Sequence, residues 1–244
     1  MTRSTARPAG WQWRIPLRHR LGNGYVFSSA YQAEDSAAQL LLANLDGAAI
    51  GSPRLLKFTT GRRRKAWSRN CVAIGLATGF VEPLESTSIH LIESGIGTLI
   101  ELFPAHGFTP LLEDEYNRIL RRQFESVRDF IILHYCLAQG DGGAFWRDRR
   151  AAALPDTLME QIELFAARGQ VSVRDQGSFA EASWVSIYLG NRRIPRRHDP
   201  IADLIDDGAL RTALDKRRHL IDEAARSMPH HTDFLATIAA AGSA

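Results

Sequence analysis

Between Cys71 and Ile89 the chain reads Cys-Val-Ala-Ile-Gly-Leu-Ala-Thr-Gly-Phe-Val-Glu-Pro-Leu-Glu-Ser-Thr-Ser-Ile, and here the residue types and their spacing could do chemistry. Glu85 is a carboxylate able to take or hold a proton. Ser86, Thr87 and Ser88 follow it, and beyond them Ile89, Ile92, Ile96, Leu99 and Ile100 fall at helical spacing. A helix start is therefore expected over residues 85–88. Such a terminus leaves backbone N–H groups without partners, which favours an anion. Upstream, the uncharged run predicts a buried strand over residues 70–75. Gly75 and Gly79 allow a sharp turn and the close approach of a flat ligand to the main chain. Taken alone, the segment is better explained by packing. Strand–glycine–helix junctions are common, and a carboxylate in a first helical turn usually serves the helix dipole, worth about 0.3–1 kcal/mol.

The elements that must position this segment can be read from periodicity. Residues 11–15 alternate as a strand, which puts Trp11, Trp13 and Ile15 on one face. Asn23-Gly24 signals a hairpin turn between Arg18–Leu21 and Tyr25–Ser28. A helix is predicted over 31–46, with Leu40, Leu41, Leu42 and Leu45 on its apolar side, and a strand over Leu55–Thr59. After residue 85 the chain turns mainly helical, with helices predicted near 86–102, 112–137, 156–168 and 208–227. In the second of these, Ile119, Phe124, Val127, Phe130, Ile131 and Leu133 are the buried candidates, while Arg121, Arg122, Glu125 and Arg128 face water. Val171–Val173 and the region of Pro195 and Pro200 read as irregular. The expected fold class is α/β, a mixed α+β part followed by a mainly helical region. Residues 1–10 read as a disordered N-terminus, 11–85 as part of an α/β domain and 86–244 as the helical region.

Trp11-Gln-Trp-Arg-Ile-Pro16 resembles the Trp-x-Trp-x-Ile-Pro motif of the flavin-dependent tryptophan halogenases. Further segments follow in the family order: Arg20–Ser29, Asn70–Ala77, Glu82–Thr87, Phe124–Tyr135, Phe145-Trp146 and Met228-Pro-His230. The match runs over nearly the whole chain, and the Trp-x-Trp motif carries most of its specificity. The resemblance implies a flavin-monooxygenase-like fold and halogenation of an electron-rich aromatic such as tryptophan or indole. In that chemistry reduced FAD, delivered by a separate flavin reductase, and oxygen convert chloride or bromide to hypohalous acid, which meets the substrate in a second cavity.

The resemblance also implies roles for residues. Glu85 is catalytic, near the reacting carbon. Thr87 and Ser88 bind halide through backbone N–H groups, with Ser88 standing where glycine is usual. Leu76 and Ile89 touch the flavin. Trp11 and Trp13, in the motif completed by Ile15 and Pro16, keep substrate from the flavin. Against each role stands an ordinary one: helix-start carboxylate, cap, core side chains, packed indoles. The chain departs from the family in lacking a Gly-x-Gly-x-x-Gly turn for the FAD pyrophosphate; Gly22-Asn-Gly24 and Gly95-Ile-Gly97 both lack the third glycine. The family's catalytic lysine is absent with it. The chain therefore reads as the C-terminal part of a halogenase-like protein, inactive and without tight FAD binding by itself. A reading of another class is a non-catalytic remnant that at most binds a partner chain. A flavin monooxygenase relative without halogenation is disfavoured by the Trp-x-Trp motif.

Composition excludes more than it identifies. The chain has 244 residues, 45% hydrophobic and 23% charged, as in an ordinary soluble globular protein. A net charge of +3 does not point to nucleic acid, and Arg62-Arg-Arg-Lys65 and Arg192-Arg193 read as solvated surface. No apolar run reaches a membrane span, and the first ten residues lack the apolar core of a secretory signal. Cys71 and Cys136 lie in apolar stretches and are expected as buried thiols, which suits a reducing cytoplasm. No metal site is expected: His230 and His231 are adjacent, and His134 stands alone in an apolar helix. No hydrolase elbow is present. Finally, the strands at 11–17 and 70–75 are expected to lack part of their cover, leaving Trp11, Trp13, Val72 and Ile74 poorly buried, while the later helices keep their partners.

Overall fold

The computed structural model describes residues 2–105, 107–139, 143–172 and 178–241. It is a mixed α/β structure with a small sheet and a mostly helical remainder. The chain opens with β1 (Arg3–Arg7), β2 (Gly10–Pro16) and β3 (Leu21–Phe27), an antiparallel sheet in the order β1-β2-β3, and α1 (Glu34–Ala43) follows. Four two-residue strands come next: β4 (Gly61–Arg62), β5 (Trp67–Ser68), β6 (Cys71–Val72) and β7 (Gly79–Phe80), paired β4 with β7 and β5 with β6. The helices are α2 (Ser88–Glu101), α3 (Pro110–Leu137), α4 (Ala144–Ala151), α5 (Asp156–Arg168), α6 (Glu181–Gly190), α7 (Asp207–Ser227) and α8 (His231–Ala241).

The long helices stand where periodicity put them. α3 begins with Pro110 at its first turn, a position that needs no amide hydrogen, and all six of its predicted apolar residues are buried. It is the axis of the molecule. One cluster packs Trp67, Leu91, Tyr116, Leu120, Phe124 and Val127 around its first half. A second packs Phe130, Leu133, Leu158, Phe165, Trp184 and Tyr188 around its second half. Asn117 of α3 clamps the short strands: its side chain accepts from the amides of Ala66 and Trp67 at 2.7 and 2.9 Å and donates to the Trp67 carbonyl at 2.8 Å.

Several expectations for the first third are corrected. Asn23-Gly24 is not a turn but lies inside β3, and the chain reverses at residues 17–20, where Leu17 N–H donates to the Arg20 carbonyl at 2.9 Å. Gly24 is there because it pairs across from Trp13, whose ring would lie 2.0 Å from any added Cβ. Residues 3–7 are not disordered; they form β1, which pairs along β2. No strand forms over Leu55–Thr59, and Leu55, Leu56 and Phe58 are exposed. The helix predicted over 31–46 is shortened to Glu34–Ala43. The buried strand over 70–75 reduces to Cys71–Val72, and Cys71 is exposed, whereas Cys136 is buried as expected. Val171 is irregular as read; Val173 lies outside the described residues.

The strands keep only part of their cover, as expected, but the largest uncovered apolar surface lies elsewhere. Trp11 packs edge-on against Trp146 and Tyr135, at ring separations of 5.1 and 5.9 Å, and Trp13, Val72 and Ile74 are half-buried. Left uncovered are the outer face of α2 and the whole of α7, which has no buried residue.

Candidate functional site

Pro83–Glu85 is not the first turn of α2 but a separate 3-10 turn before it. Side chains three apart eclipse on such a turn, so Glu82, which precedes it, and Glu85, which ends it, are placed to reach the same neighbour. That neighbour is α3. The Nε2 atom of His134 lies 2.9 Å from Oε1 of Glu85, and the Tyr135 hydroxyl donates to Oε2 of Glu82 at 2.5 Å. Two consecutive residues of one helix thus hold the two carboxylates of one turn. His134 is therefore not alone in its helix, as the sequence suggested.

The ring of His134 is held at both nitrogens: Nδ1 sits 2.7 Å from the Phe130 carbonyl oxygen, and Nε2 engages Oε1 of Glu85. Its neighbour Glu82 is buried, with Oε1 lacking any partner. Burial pushes the Glu82 carboxyl up from its ordinary value; the Tyr135 hydrogen bond and the His134 charge oppose this, and the Glu85 charge adds to it. Burial and the same carboxylate push the Tyr135 phenol well above its usual range.

Between the carboxylates and α2 the chain reverses at Ser86, which takes the left-handed conformation at φ 55° and ψ 30°. For a residue with a Cβ this costs roughly 1–2 kcal/mol, and it separates the 3-10 turn from the helix. Thr87 is the N-cap of α2 and provides no side-chain cap bond. The first amides of α2 therefore take no hydrogen bond from the side chain of their N-cap residue. Ser88 lines a hollow of about 20 Å³ together with Gly75, Leu76 and Ile92, room for a single water-sized group. Gly75 makes its turn at φ +68°. Gly79 serves strand pairing rather than ligand approach, since an added Cβ would stand 2.6 Å from the Gly61 carbonyl oxygen.

The site residues read from sequence fall into two groups. Glu85, Thr87, Ser88 and Leu76 come together around this turn, and Ile89 follows on the exposed surface of α2, where it and Leu76 are 68% and 72% exposed. Trp11 joins them indirectly, through the Tyr135 ring, and its indole N–H is buried without a partner. Trp13 lies over Gly24, and Ile15 and Pro16 continue β2 opposite Gly22 and Leu21. His134, Tyr135 and Glu82 were missed as site residues. The signal that could have found them is a pair of glutamates three apart combined with an adjacent His-Tyr on the apolar side of a long helix. Glu82 and Tyr135 also open on a wider cleft of about 1010 Å³, walled by Tyr31, Phe80 and Phe145 with Arg149.

Residues 1–207 match the family model for tryptophan halogenase. The chain belongs to the tryptophan halogenase family. Among characterised family members, it is 35% identical over 249 residues to the tryptophan 6-halogenase SttH of Streptomyces toxytricini, an alignment covering 97% of this chain and 46% of that protein. Among solved halogenase structures, BrvH from Brevundimonas sp. BAL3 shares 48% identity and superposes at a TM-score of 0.92 over 97% of this chain and 48% of its own. Xcc4156 from Xanthomonas campestris does so at 45% identity and a TM-score of 0.92, again over 97% and 48%. Both are described as flavin-dependent halogenases. The chain thus spans about half the length of the halogenases it matches.

Proposed function

We propose that this chain supplies the halide and proton-accepting side of a flavin-dependent halogenase acting on an electron-rich aromatic such as tryptophan or indole. The observation that carries the reading is Glu85, held by His134 at 2.9 Å and set three residues before Ser88, the first residue of the uncapped α2, in a chain of the halogenase family. Thr87 and Ser88 would hold chloride or bromide through their amides.

The fit to FAD is one-sided. Exposed Leu76 and Ile89 beside the hollow offer an apolar surface that a flat ring could cover, whereas the sequence has no glycine turn for the pyrophosphate. Bound FAD, reduced by a separate flavin reductase, supplies with oxygen the oxidising equivalents that turn halide into hypohalous acid.

The residues of this chain act after that. A ring carbon of the substrate attacks the halogen of the hypohalous acid and the halogen–oxygen bond breaks, releasing hydroxide that becomes water with the proton the ring later gives up through Glu85. The ring is then cationic, and a carboxylate beside it stabilises that charge. The proton on the halogenated carbon passes to Glu85, restoring the aromatic ring. The balance is ring C–H plus hypohalous acid giving ring C–halogen plus water. His134 is a positioning residue here: it fixes one Glu85 oxygen and leaves the other to face the ring. Glu82, with its raised carboxyl, sets the local charge without touching the reacting carbon.

The test is a single-chain chimera in which the part of the Brevundimonas halogenase not covered by this chain is fused to it. Supplied with FAD, a reductase, bromide and indole, it should give brominated indole by mass spectrometry. A chimera that retains FAD yet gives no brominated product would favour the remnant reading.

A further inference from the structure

We infer that the arginine-rich loop after α6 docks an acidic segment of a polypeptide, and that this segment carries the aromatic side chain to be halogenated to Glu85. Docking rests on the charge and shape of the loop alone; delivery of the ring rests on the proposed function.

The loop is built, not slack. The amides of Arg192 and Arg193 donate back to the carbonyls of Leu189 and Tyr188, both at 2.9 Å. The Arg196 amide donates to the Ala166 carbonyl at 2.8 Å, which ties the loop to the last turn of α5. Pro195 lies against Gly169, the left-handed residue that ends α5. A 3-10 turn over Pro200–Leu204 is drawn to the same place, because Gln170 Nε2 donates to Asp199 Oδ2 at 2.9 Å. Arg168, Arg192, Arg193, Arg196 and Arg197 are thereby gathered on one surface, all exposed.

A cation near a helix C-terminus is ordinarily there for the dipole, and that explains Arg168, Arg192 and Arg193. Arg196 and Arg197 belong to no helix. Arg192 moreover holds the left-handed conformation at φ 59°, which glycine takes more easily. Among the described residues none of the five makes an ion pair. The carboxylates beside them are already engaged: Asp199 accepts from Gln170 and the Ile201 amide, and Asp203 meets His198 Nε2 at 2.6 Å.

Apolar side chains interleave with this charge. Ile194, Ile201 and Leu204 are 73%, 68% and 83% exposed. Unpaired guanidinium forks among bare aliphatic groups complement a chain of carboxylates with apolar residues between them. Nucleic acid fits less well, since no tryptophan, tyrosine or phenylalanine lies between residues 189 and 207 to stack a base.

The helix before the loop leads to the carboxylate turn. Phe179, just ahead of α6, stacks on Phe130 at 3.8 Å, and the Phe130 carbonyl holds His134. α6 has 10 residues and so is about 15 Å long, a span that about five extended residues cover. A segment docked on the arginines can therefore set an aromatic side chain about five residues away beside Glu85.

The test uses the full chain and a fluorescein-labelled peptide with two glutamates for every leucine and a tryptophan about five residues beyond them. By fluorescence anisotropy at low salt it should bind at least about tenfold more tightly than its glutamine-for-glutamate counterpart, and salt should erase the difference. Arg196→Glu with Arg197→Glu should weaken binding at least about tenfold, and Arg196→Gln with Arg197→Gln should do so in the same direction. Arg18→Glu with Arg20→Glu, an exposed basic pair elsewhere, should not. Circular dichroism of the variants should match the parent. Equal binding of the two peptides would overturn the inference, as would folded Arg196 and Arg197 variants that bind like the parent. A single-stranded oligonucleotide that binds more tightly than the peptide, and is lost in the same variants, would overturn it in favour of nucleic acid. In the fused chimera the acidic peptide should be brominated with kcat/KM at least about tenfold above the glutamine peptide. Arg196→Glu with Arg197→Glu should remove that advantage and leave free indole turnover unchanged. Peptide binding by a chimera that brominates nothing would leave docking standing and remove the proposed function; bromination of indole without preference for the acidic peptide would do the reverse.

Discussion

Glu82 offers the sharpest thermodynamic test of the carboxylate turn. It is buried, one oxygen accepts from the Tyr135 hydroxyl at 2.5 Å, and the other has no partner. Its carboxyl is raised above the ordinary value of 4.5, with burial the leading cause. A carboxyl raised on folding binds its proton more tightly in the folded state. Its share of stability is full at pH values below the ordinary carboxylate range and is lost as pH rises through the folded value. Tyr135→Phe keeps the ring packing on Trp11 and Trp146 and removes only the hydroxyl. At pH 8 the loss is a hydrogen bond to a charge, about 1.5–3 kcal/mol, and at pH 4 a neutral one, about 0.5–1.5 kcal/mol. Glu82→Gln keeps an acceptor for Tyr135 and removes the buried charge, so it should be more stable than the parent at pH 8 and close to it at pH 4. Urea midpoints at the two pH values measure both. A Tyr135→Phe loss that is equal at pH 4 and pH 8, or a Glu82→Gln variant less stable at pH 8, would refute the reasoning that Glu82 is a buried charge steadied by one bond.

Three further outcomes are expected. Gly24→Ala forces a methyl into the Trp13 ring, 2.0 Å away, and should lower unfolding stability by about 1–3 kcal/mol. Asn117→Ala releases the amides of Ala66 and Trp67 together and leaves them unpaired, costing about 1–3 kcal/mol by the same assay and weakening hydrogen-exchange protection at those two amides. In the fused chimera, His134→Gln should lower the turnover number about tenfold or more while FAD retention is unchanged, because the imidazole that holds Glu85 Oε1 is lost.

The long helices were legible because a 3.6-residue pattern is redundant over many turns, whereas the shorter α4, α6 and α8 were not predicted. α5 was read to the residue, and α3 and α7 to within two, with every predicted apolar position of α3 buried. The strands were not, because short strands carry little pattern and their residues answer to neighbours far away in sequence. Asn23-Gly24 has the chemistry of a turn, yet Gly24 exists to admit the Trp13 ring. Residues 3–7 carry no apolar alternation; they form a strand because β2 offers its edge. The carboxylate turn was legible only in part. Glu85, Thr87 and Ser88 could be named from the segment and its family resemblance, but their separation by a left-handed Ser86 could not. His134 escaped because a lone histidine on an apolar face says nothing of what approaches it across the fold. Cover is partial on the strands, where Trp11, Trp13, Val72 and Ile74 are only half-buried, and it is also missing from α2 and α7, where the helices were expected to keep their partners.

The central claim, that Glu85 is the proton-accepting carboxylate of a halogenase, is tested most directly by comparing the fused chimera with its Glu85→Gln variant. Both are given reduced FAD, oxygen, bromide and indole, and the initial rate of bromoindole formation is read by mass spectrometry. Glutamine matches the shape of glutamate but cannot take the ring proton, so the rate should fall by about 100-fold or more, with FAD retention and bromide consumption unchanged. A Glu85→Gln chimera that brominates indole at the parent rate would contradict the account.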